Sequence, residues 1–177
     1  LRPNLPLPQV LEAVGGAIRA ATPFQVVVIS LYDPASGTLA RAHAEGVSGE
    51  DWTLLQANRP RWDAVSTLLQ PDYRIGSVYY IPADRRPQMP AEVHTITVLP
   101  DNDGQENDAW NARDMLFVPL LDSDDTPLGL ISVDAPRDGR QPDWQTFQAL
   151  DLFALKAEVL LQSSRHASGI QANLDAL

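Results

Sequence analysis

The sequence has no cysteine and only one lysine, Lys156. The absence of cysteine excludes disulfides, thiolate metal ligands, cysteine nucleophiles and any cofactor held through a thioether. A covalently attached bilin is therefore excluded as well. The composition is consistent with a cytoplasmic protein. Arginine supplies all the remaining positive charge of the side chains.

Positive charge is also scarce overall, with 13 Lys and Arg against 23 Asp and Glu and a net charge of −10. Such a chain repels phosphate backbones and anionic lipids, so we expect no nucleic-acid partner. No apolar run is long enough to cross a bilayer and no signal-peptide pattern occurs, so we expect no membrane contact by this piece. The first residue is not Met, which favours a piece excised from a longer protein.

The chain of 177 residues is 44% hydrophobic, enough for one domain with a substantial core. The patterns predict a lead-in over residues 1–7, a domain over 8–167 and a connector over 168–177 to a downstream domain. We find no internal repeat.

A β-hairpin is predicted at the centre of the fold. Its arms, 115–121 and 128–133, are largely apolar on both faces, which requires covering layers on both sides of the sheet. The polar stretch 122–127 ends in Pro127 and is typical of a surface turn. Pro119 conflicts with a central strand, because it cannot donate to the ladder; it should sit at a bulge or where a partner is lacking.

Before this hairpin, hydrophobic spacing predicts a helix from Pro8 that buries Val10, Leu11, Val14, Ile18 and Ala21. Strands follow over 24–32 and 38–45, the second more polar and nearer the sheet edge. Two short helices, over 48–58 and from Trp62 to Leu69, precede a strand over 73–81 whose imperfect alternation leaves room for a bend.

Residues 82–113 are the least regular part, and a loop of this length is functional or disordered. Val93 to Leu99 could form a short extra strand. An acidic cluster follows at Asp101, Asp103, Glu106 and Asp108. The run 101–104 is similar to a calcium loop, but Leu99 stands where the first acid should be, so a solvated acidic loop is the better interpretation.

A long helix capped by Asp143 is predicted to run to about His166, and the tail after Gly169 could resume helix. It carries two apolar stripes. The first contains Trp144, Phe147, Leu150, Phe153, Ala157 and Leu160, and the second contains Leu152, Leu155 and Val159. One stripe can pack on the sheet, and the other needs a different partner.

This order of elements, with these residues, resembles a GAF domain over roughly residues 8–165. The matching segments are Val-Val-Val-Ile-Ser-Leu-Tyr-Asp at 26–33, Tyr-Arg-Ile at 73–75, Tyr-Tyr-Ile-Pro at 79–82, Leu-Phe-Val-Pro-Leu at 116–120, Leu-Gly-Leu-Ile-Ser-Val-Asp at 128–134 and Asp-Gly-Arg at 138–140. The likeness is specific for the fold and weak for the ligand, since one scaffold serves many functions.

The resemblance implies an α+β fold in α/β/α layers, related to PAS domains. A mainly antiparallel sheet of about six strands would carry the terminal helices on one face. Short helices and loops would enclose a small-molecule pocket on the other. It also implies pairing of two copies through terminal helices, which would cover the second stripe at Leu152, Leu155 and Val159.

Several activities found on this fold are disfavoured. Cyclic-nucleotide-binding relatives share an Asn-Lys pair and Phe-x-x-x-Asp-Glu; Phe147 and Asp151 match, but Leu152 replaces the Glu and no Asn-Lys occurs. Bilin-binding relatives and free methionine sulfoxide reductases need cysteine. Three isolated histidines, His43, His94 and His166, lack ligand spacing. No catalytic signature emerges, so this domain is predicted to be non-enzymatic.

What remains is a ligand pocket. The candidate lining residues are Trp52, Trp62, Tyr73, Arg74, Tyr79, Trp110, Phe117, Ser132 and Asp134. Aromatic and polar groups suit a small, flat ligand, whose identity stays unknown, whereas the alternative is that the aromatics fill the core. The resemblance implies a non-enzymatic sensory module of a bacterial signalling protein, in the first place a sensor histidine kinase, with a diguanylate cyclase as the alternative. The second hypothesis is a dimerisation scaffold without a ligand.

Overall fold

The computed structural model describes residues 5–93 and 107–176. Of the strand expected at 93–99, only Val93 belongs to the described residues. Also outside them lie His94 and the acidic residues Asp101, Asp103 and Glu106. No helix within the described ranges is both long and apolar enough to span a bilayer.

The described chain forms four helices and six strands, with short 3₁₀ turns between some of them. In order these are α1 (Leu7–Ala21), β1 (Phe24–Asp33), β2 (Thr38–Glu45), α2 (Gly49–Ala57), α3 (Trp62–Ser66), β3 (Arg74–Ile75), β4 (Val78–Ile81), β5 (Met115–Leu121), β6 (Pro127–Pro136) and α4 (Trp144–Asp175). The strands form one sheet in the order β2-β1-β6-β5-β4-β3, and every pairing is antiparallel. The predicted α+β class and six-stranded antiparallel sheet are confirmed.

The β5–β6 hairpin occupies the two central positions, as its two-faced apolar pattern predicts. Pro119 pairs with Leu130 of β6, whereas β4 pairs with β5 only as far as Phe117. The segment around Pro119 therefore has no strand on its other side. A residue without an N–H is tolerated there because no ladder bond is missing.

The terminal helices pack on one face of the sheet, which we call the helix face. Val10, Leu11, Val14 and Ile18 of α1 are buried, but Ala21 is exposed, contrary to the sequence prediction. The face of α4 that joins this core consists of Phe147, Leu150, Ala154, Ala157 and Leu161. These positions repeat every three to four residues, as a helix packed along one side requires.

Two members of the first predicted stripe do not lie in that core. Trp144 is 66% exposed and Leu160 is 41% exposed. Between Phe147 and Leu161 the core contacts of α4 are made by Leu150, Ala154 and Ala157, and the two small alanine side chains let the helix lie close to β5. The second stripe, Leu152, Leu155 and Val159, is exposed, as expected of residues that need another partner.

Helix α4 is longer than predicted. The Asp143 side chain accepts from the Thr146 N–H, which confirms the predicted cap. The helix continues through Ser168 and Gly169 to Asp175 without a break. A single glycine lowers helix stability by only about 1 kcal/mol, which is too little to end a helix of this length.

The expected strand over 73–81 is instead a short hairpin. Gly76 turns the chain with φ of 64°, a conformation that favours glycine. Its Cα lies so close to α4 that an added Cβ would collide with the Asp151 carboxylate. Ser77 donates to the same carboxylate through its N–H, at 2.8 Å, and through its hydroxyl. The imperfect alternation in this stretch reflects that turn.

The opposite face, which we call the cavity face, is covered by α2, α3 and the chain around residues 83–93. One cluster there contains Leu39, Val65, Leu68, Tyr73, Ile81, Met115, Phe117 and Leu130. A smaller cluster of Val26, Val28, Leu55 and Ala135 lies under α2. Both faces of the sheet are thus covered, as the resemblance implies.

Candidate functional site

A cavity of about 110 Å³ lies on the cavity face, between the sheet and the short helices that cover it. Its floor is formed by β1, β5 and β6, and α2 and α3 contribute Leu55 and Val65. The apolar residues around it are Val28, Leu55, Val65, Val93, Ala112, Met115, Leu116, Phe117, Leu130 and Val133, of which Leu116 and Val133 turn their side chains to the helix face. Hydrophobic lining of this kind is typical of small-molecule sites.

The polar side chains around the cavity carry most of its chemical character. They are Arg41, Arg86, Arg113, Asp114, Ser132 and Asp134. Three cations around one small cavity are notable in a chain with net charge −10.

Arg41 projects from β2 towards the cavity. Its Nη1 donates to the buried Ser30 hydroxyl at 2.9 Å, which fixes the guanidinium against β1. Its Nε is buried and has no hydrogen-bond partner within the part of the chain that the structure describes. Burial lowers the pKa of Arg41, because the charged form loses solvation. The side chain is therefore a desolvated cation with an unused donor.

Arg86 also has a donor without a partner within the described ranges. It lies in the segment that follows β4, and its Nε is also buried without a partner among the described residues. The ion pairs found in the described ranges involve neither Arg41 nor Arg86. Buried donors without partners are rare in native proteins and call for an explanation such as a missing ligand, ion or water.

The Asp134 carboxylate lies at the end of the cavity floor. Its Oδ1 accepts from Trp110 Nε1 at 3.0 Å and from the Ala135 N–H at 2.7 Å. Burial raises the pKa of Asp134, and these two hydrogen bonds only partly oppose that effect. Ala135 itself has a φ of 54°, an uncommon value for a residue with a Cβ. The floor thus ends in a distorted stretch of β6.

Asp114, just before β5, has a structural role. Its carboxylate accepts from the Tyr80 hydroxyl at 3.0 Å, the Ala83 N–H at 2.8 Å and the Asn111 N–H at 3.0 Å. Burial and the Asp114 charge raise the pKa of Tyr80. The carboxylate ties the chain before β5 to the chain after β4, and both border the cavity.

The structure brings three of the predicted site residues, Phe117, Ser132 and Asp134, to the cavity. Phe117 and Ser132 face each other across β5 and β6, and Ser132 also pairs with Val28 of β1. Since cross-strand partners share a face of the sheet, these side chains form one row on the floor. Their role in binding stays a prediction.

Trp110 lies elsewhere. It is 1% exposed and packs in the core of the helix face, edge-on to Phe24 at 5.5 Å and stacked on Tyr80 at 5.9 Å. Its ring therefore fills the core, as the alternative interpretation of the aromatics proposed. Only its indole N–H reaches the site, through Asp134.

The other predicted residues surround the cavity without lining it. Trp52 packs beside Leu55, and Trp62 lies edge-on to Tyr32 at 6.4 Å. Tyr73 is buried and donates to the Arg85 carbonyl at 2.7 Å, and Tyr79 packs in the same cluster. All four pack beside the cavity without forming its wall, Tyr79 from strand β4 of the sheet and the others from the segments that cover it.

Arg74 is exposed on the outermost strand, where its Nε donates to the Gly76 carbonyl at 2.8 Å. The cations at the cavity are instead Arg41, Arg86 and Arg113. Arg41 had a signal in the sequence, because it stands two residues after the buried Leu39 and alternate residues of a strand share a face. Arg86 and Arg113 lie outside regular strands, so no periodicity in the sequence predicts which way their side chains point.

Metal ligands do not converge in residues 5–93 and 107–176: no group of three His, Cys, Asp or Glu side chains could hold an ion there. His43 lies 2.9 Å from Glu45 Oε1 through its Nε2, beside helix α1. His166 is exposed on α4.

No family model and no curated protein matches the sequence. Solved structures do match the fold. A GAF domain/HD domain protein from Geobacter sulfurreducens superposes with a TM-score of 0.65 at 9% identity, covering 89% of this chain and 93% of that one. A domain from Sinorhizobium meliloti 1021, described as part of a two-component sensor histidine kinase, gives 0.59 at 13% identity, with 95% and 99% covered.

An enzyme is also among the structures that match. The free methionine-R-sulfoxide reductase of Neisseria meningitidis, solved with its substrate, gives a TM-score of 0.52 at 18% identity, covering 91% of this chain and 89% of that one. The six-stranded antiparallel sheet, the helix pair on one face and these matches together show that the chain has the GAF fold. At these identities the likeness establishes the fold, and the activity must be argued from the site.

Proposed function

We propose that this chain is a non-enzymatic sensory domain that binds a small molecule in the cavity and passes the binding event on through its terminal helices. The observation that carries the proposal is the cavity itself, enclosed between the sheet and the short helices and bordered by two arginines with unpaired buried donors. GAF domains among the matching structures support the sensory role.

Polar contacts connect the cavity floor to α4. Strand β5 borders the cavity at Met115–Phe117, and its other end is held by α4. There Glu158 Oε1 accepts from the Leu121 N–H at 3.0 Å and Gln162 Nε2 donates to Asp122 Oδ1 at 2.9 Å. The β3–β4 turn is held by Asp151. A shift of the floor would therefore change the seating of α4.

We further propose that α4 pairs with α4 of a second copy. Trp144, Leu152, Leu155 and Val159 are each more than half exposed and lie along the side of the helix turned away from the core. The last three are separated by three and four residues, which is the spacing of a coiled-coil seam. Two helices of 32 residues could then transmit a rotation or a shift together.

A histidine kinase is the output we favour, because one matching domain is described as part of a sensor histidine kinase. A diguanylate cyclase is the alternative output.

Thermal unfolding against a metabolite panel tests ligand binding. A ligand at a hundred times its Kd should stabilise the fold by about 2.7 kcal/mol, which is about 5–10 °C for a domain of this size. Ser132→Leu, which fills the cavity floor, should abolish the response. Ser123→Leu, in the exposed hairpin turn, should not.

The rival proposal is a dimerisation scaffold without a ligand, favoured by the same exposed stripe. It predicts a dimer whose melting temperature no compound changes. Light scattering on Leu155→Glu with Val159→Glu should show a monomer, whereas Leu54→Glu, equally exposed on α2, should leave the dimer intact. A wild-type monomer would contradict dimerisation in either proposal.

A further inference from the structure

We propose that the cavity binds a small organic carboxylate with an apolar body, its carboxylate paired with Arg41 and its body resting on the Phe117–Leu130 floor. The inference depends on the proposed ligand-binding function and names the chemical class of that ligand. It follows from the unused donors, the charge and the shape of the cavity wall.

Arg41 has only part of its guanidinium engaged by Ser30. A guanidinium can pair with a carboxylate in a bidentate manner through the edge formed by Nε and Nη2. Ser30 holds Arg41 through Nη1, the nitrogen that lies outside this edge. The donors of this edge have no hydrogen-bond partner among the described residues, and Ser30 already holds the side chain in place.

The cavity also carries uncompensated positive charge. Arg86 adds another cation with an unpartnered Nε at the same cavity. The acidic residues there do not neutralise these two arginines. Asp114 accepts from a tyrosine hydroxyl and two backbone N–H groups, and Asp134 accepts from an indole and a backbone N–H. Both arginines are half-buried, and a cation that has lost part of its hydration without gaining a counter-charge is costly. An anionic ligand would supply that counter-charge.

The volume of the cavity and its apolar lining limit the size and polarity of the ligand. One water needs about 10–15 Å³ of such space, so a cavity of about 110 Å³ holds roughly seven to eleven atoms of that size. Most side chains facing it are apolar, including Val28, Leu55 and Met115. Inorganic phosphate would leave this apolar wall uncovered, whereas a hydrocarbon or aromatic body would cover it. The wall thus favours a carboxylate over a phosphate.

Benzoate is a suitable probe, because it combines a carboxylate with a flat apolar body of about this size. Benzamide has the same shape without the charge, and inorganic phosphate has charge without the body. Calorimetric titration of the purified chain should show binding in the order benzoate, then phosphate, then benzamide. Arg41→Met should weaken benzoate at least about tenfold, as loss of a charged hydrogen bond predicts.

Two further variants keep the test decisive. Arg86→Met should also weaken benzoate, by a smaller factor, so the test does not depend on the folding of one variant. Arg61→Met removes an exposed arginine whose guanidinium pairs, within the described ranges, with the exposed Asp63, and it should leave binding unchanged. Circular dichroism of each variant checks that the fold is retained.

The outcomes separate the two proposals. Benzamide binding as tightly as benzoate, with both lost in Ser132→Leu, would overturn the carboxylate inference and leave the sensory proposal standing. Phosphate binding more tightly than benzoate would also overturn the inference. If no probe and no member of the metabolite panel binds, the sensory proposal itself fails.

Discussion

The two faces of the central sheet are built from the same strands and differ in how completely they are packed. On the helix face, Leu150, Ile131 and Trp110 are each 1% exposed and lie among apolar neighbours. On the cavity face, the same hairpin borders empty space and two buried donors without partners. Close packing stabilises a fold, while unfilled volume and unpaired charge lower its stability and leave room for a ligand.

The largest expected effect is a difference between the two faces in the free energy of unfolding that is lost when a leucine is shortened to alanine. Leu150→Ala on the helix face should lower the free energy of unfolding by about 3–4 kcal/mol, because it opens a new void. Leu55→Ala should cost about 1–2 kcal/mol, since that side chain already borders a cavity. Urea denaturation of both variants measures this. Equal losses would mean that the faces are packed alike.

A smaller change in the free energy of unfolding, of opposite sign, is expected from a substitution at Arg41. Without ligand, Arg41→Met should leave stability unchanged or raise it by up to about 1 kcal/mol, because it removes a partly buried cation with no ion-pair partner among the described residues. Arg61→Met is the control and should change stability by less than about 0.5 kcal/mol. A clear loss in Arg41→Met would show that its hydrogen bond to Ser30 outweighs its desolvation.

The smallest effect concerns pH. Burial raises the pKa of Asp134 above that of the unfolded chain, so folding favours its protonated form. Its contribution to stability is therefore greatest in acid and falls as pH rises through the folded pKa. Asp134→Asn keeps an oxygen acceptor for Trp110 and Ala135. We expect its stability relative to wild type to increase as pH rises above about 4, the pKa of an unperturbed Asp.

Asp124→Asn serves as the control of opposite sign. Asp124 is exposed in the hairpin turn, and hydrogen bonds from Thr126 lower its pKa. Wild type should therefore gain stability relative to this variant as pH rises from acid. Parallel slopes for the two variants in urea denaturation would contradict the assignment of a raised pKa to Asp134.

Much of the fold could be predicted from the sequence because its signals are local. The double apolar pattern of 115–121 and 128–133 placed the hairpin at the centre of the sheet, and Asp143 marked the start of α4. Errors arose where a tertiary contact overrides a pattern. Gly76 looks like part of a strand until Asp151 of a distant helix explains the turn. Trp144 has the spacing of a core residue but lies outside the core.

The site was less predictable. Phe117, Ser132 and Asp134 alternate along central strands, so their shared face could be inferred. Trp110 could not be placed, because its side of the sheet depends on how the chain before β5 is tied through Asp114. Arg86 lies in a segment without periodicity, where the sequence has no signal for direction.

By itself, the sequence determined the layers of this protein: which segments are strands and helices, and that both faces of the sheet must be covered. These follow from apolar spacing along the chain, which acts over a few residues. Only the tertiary structure decided where the covering layer leaves a cavity above the sheet and which charged side chains border that cavity. A cavity is set by the distance between segments far apart in sequence, and no local pattern records that distance.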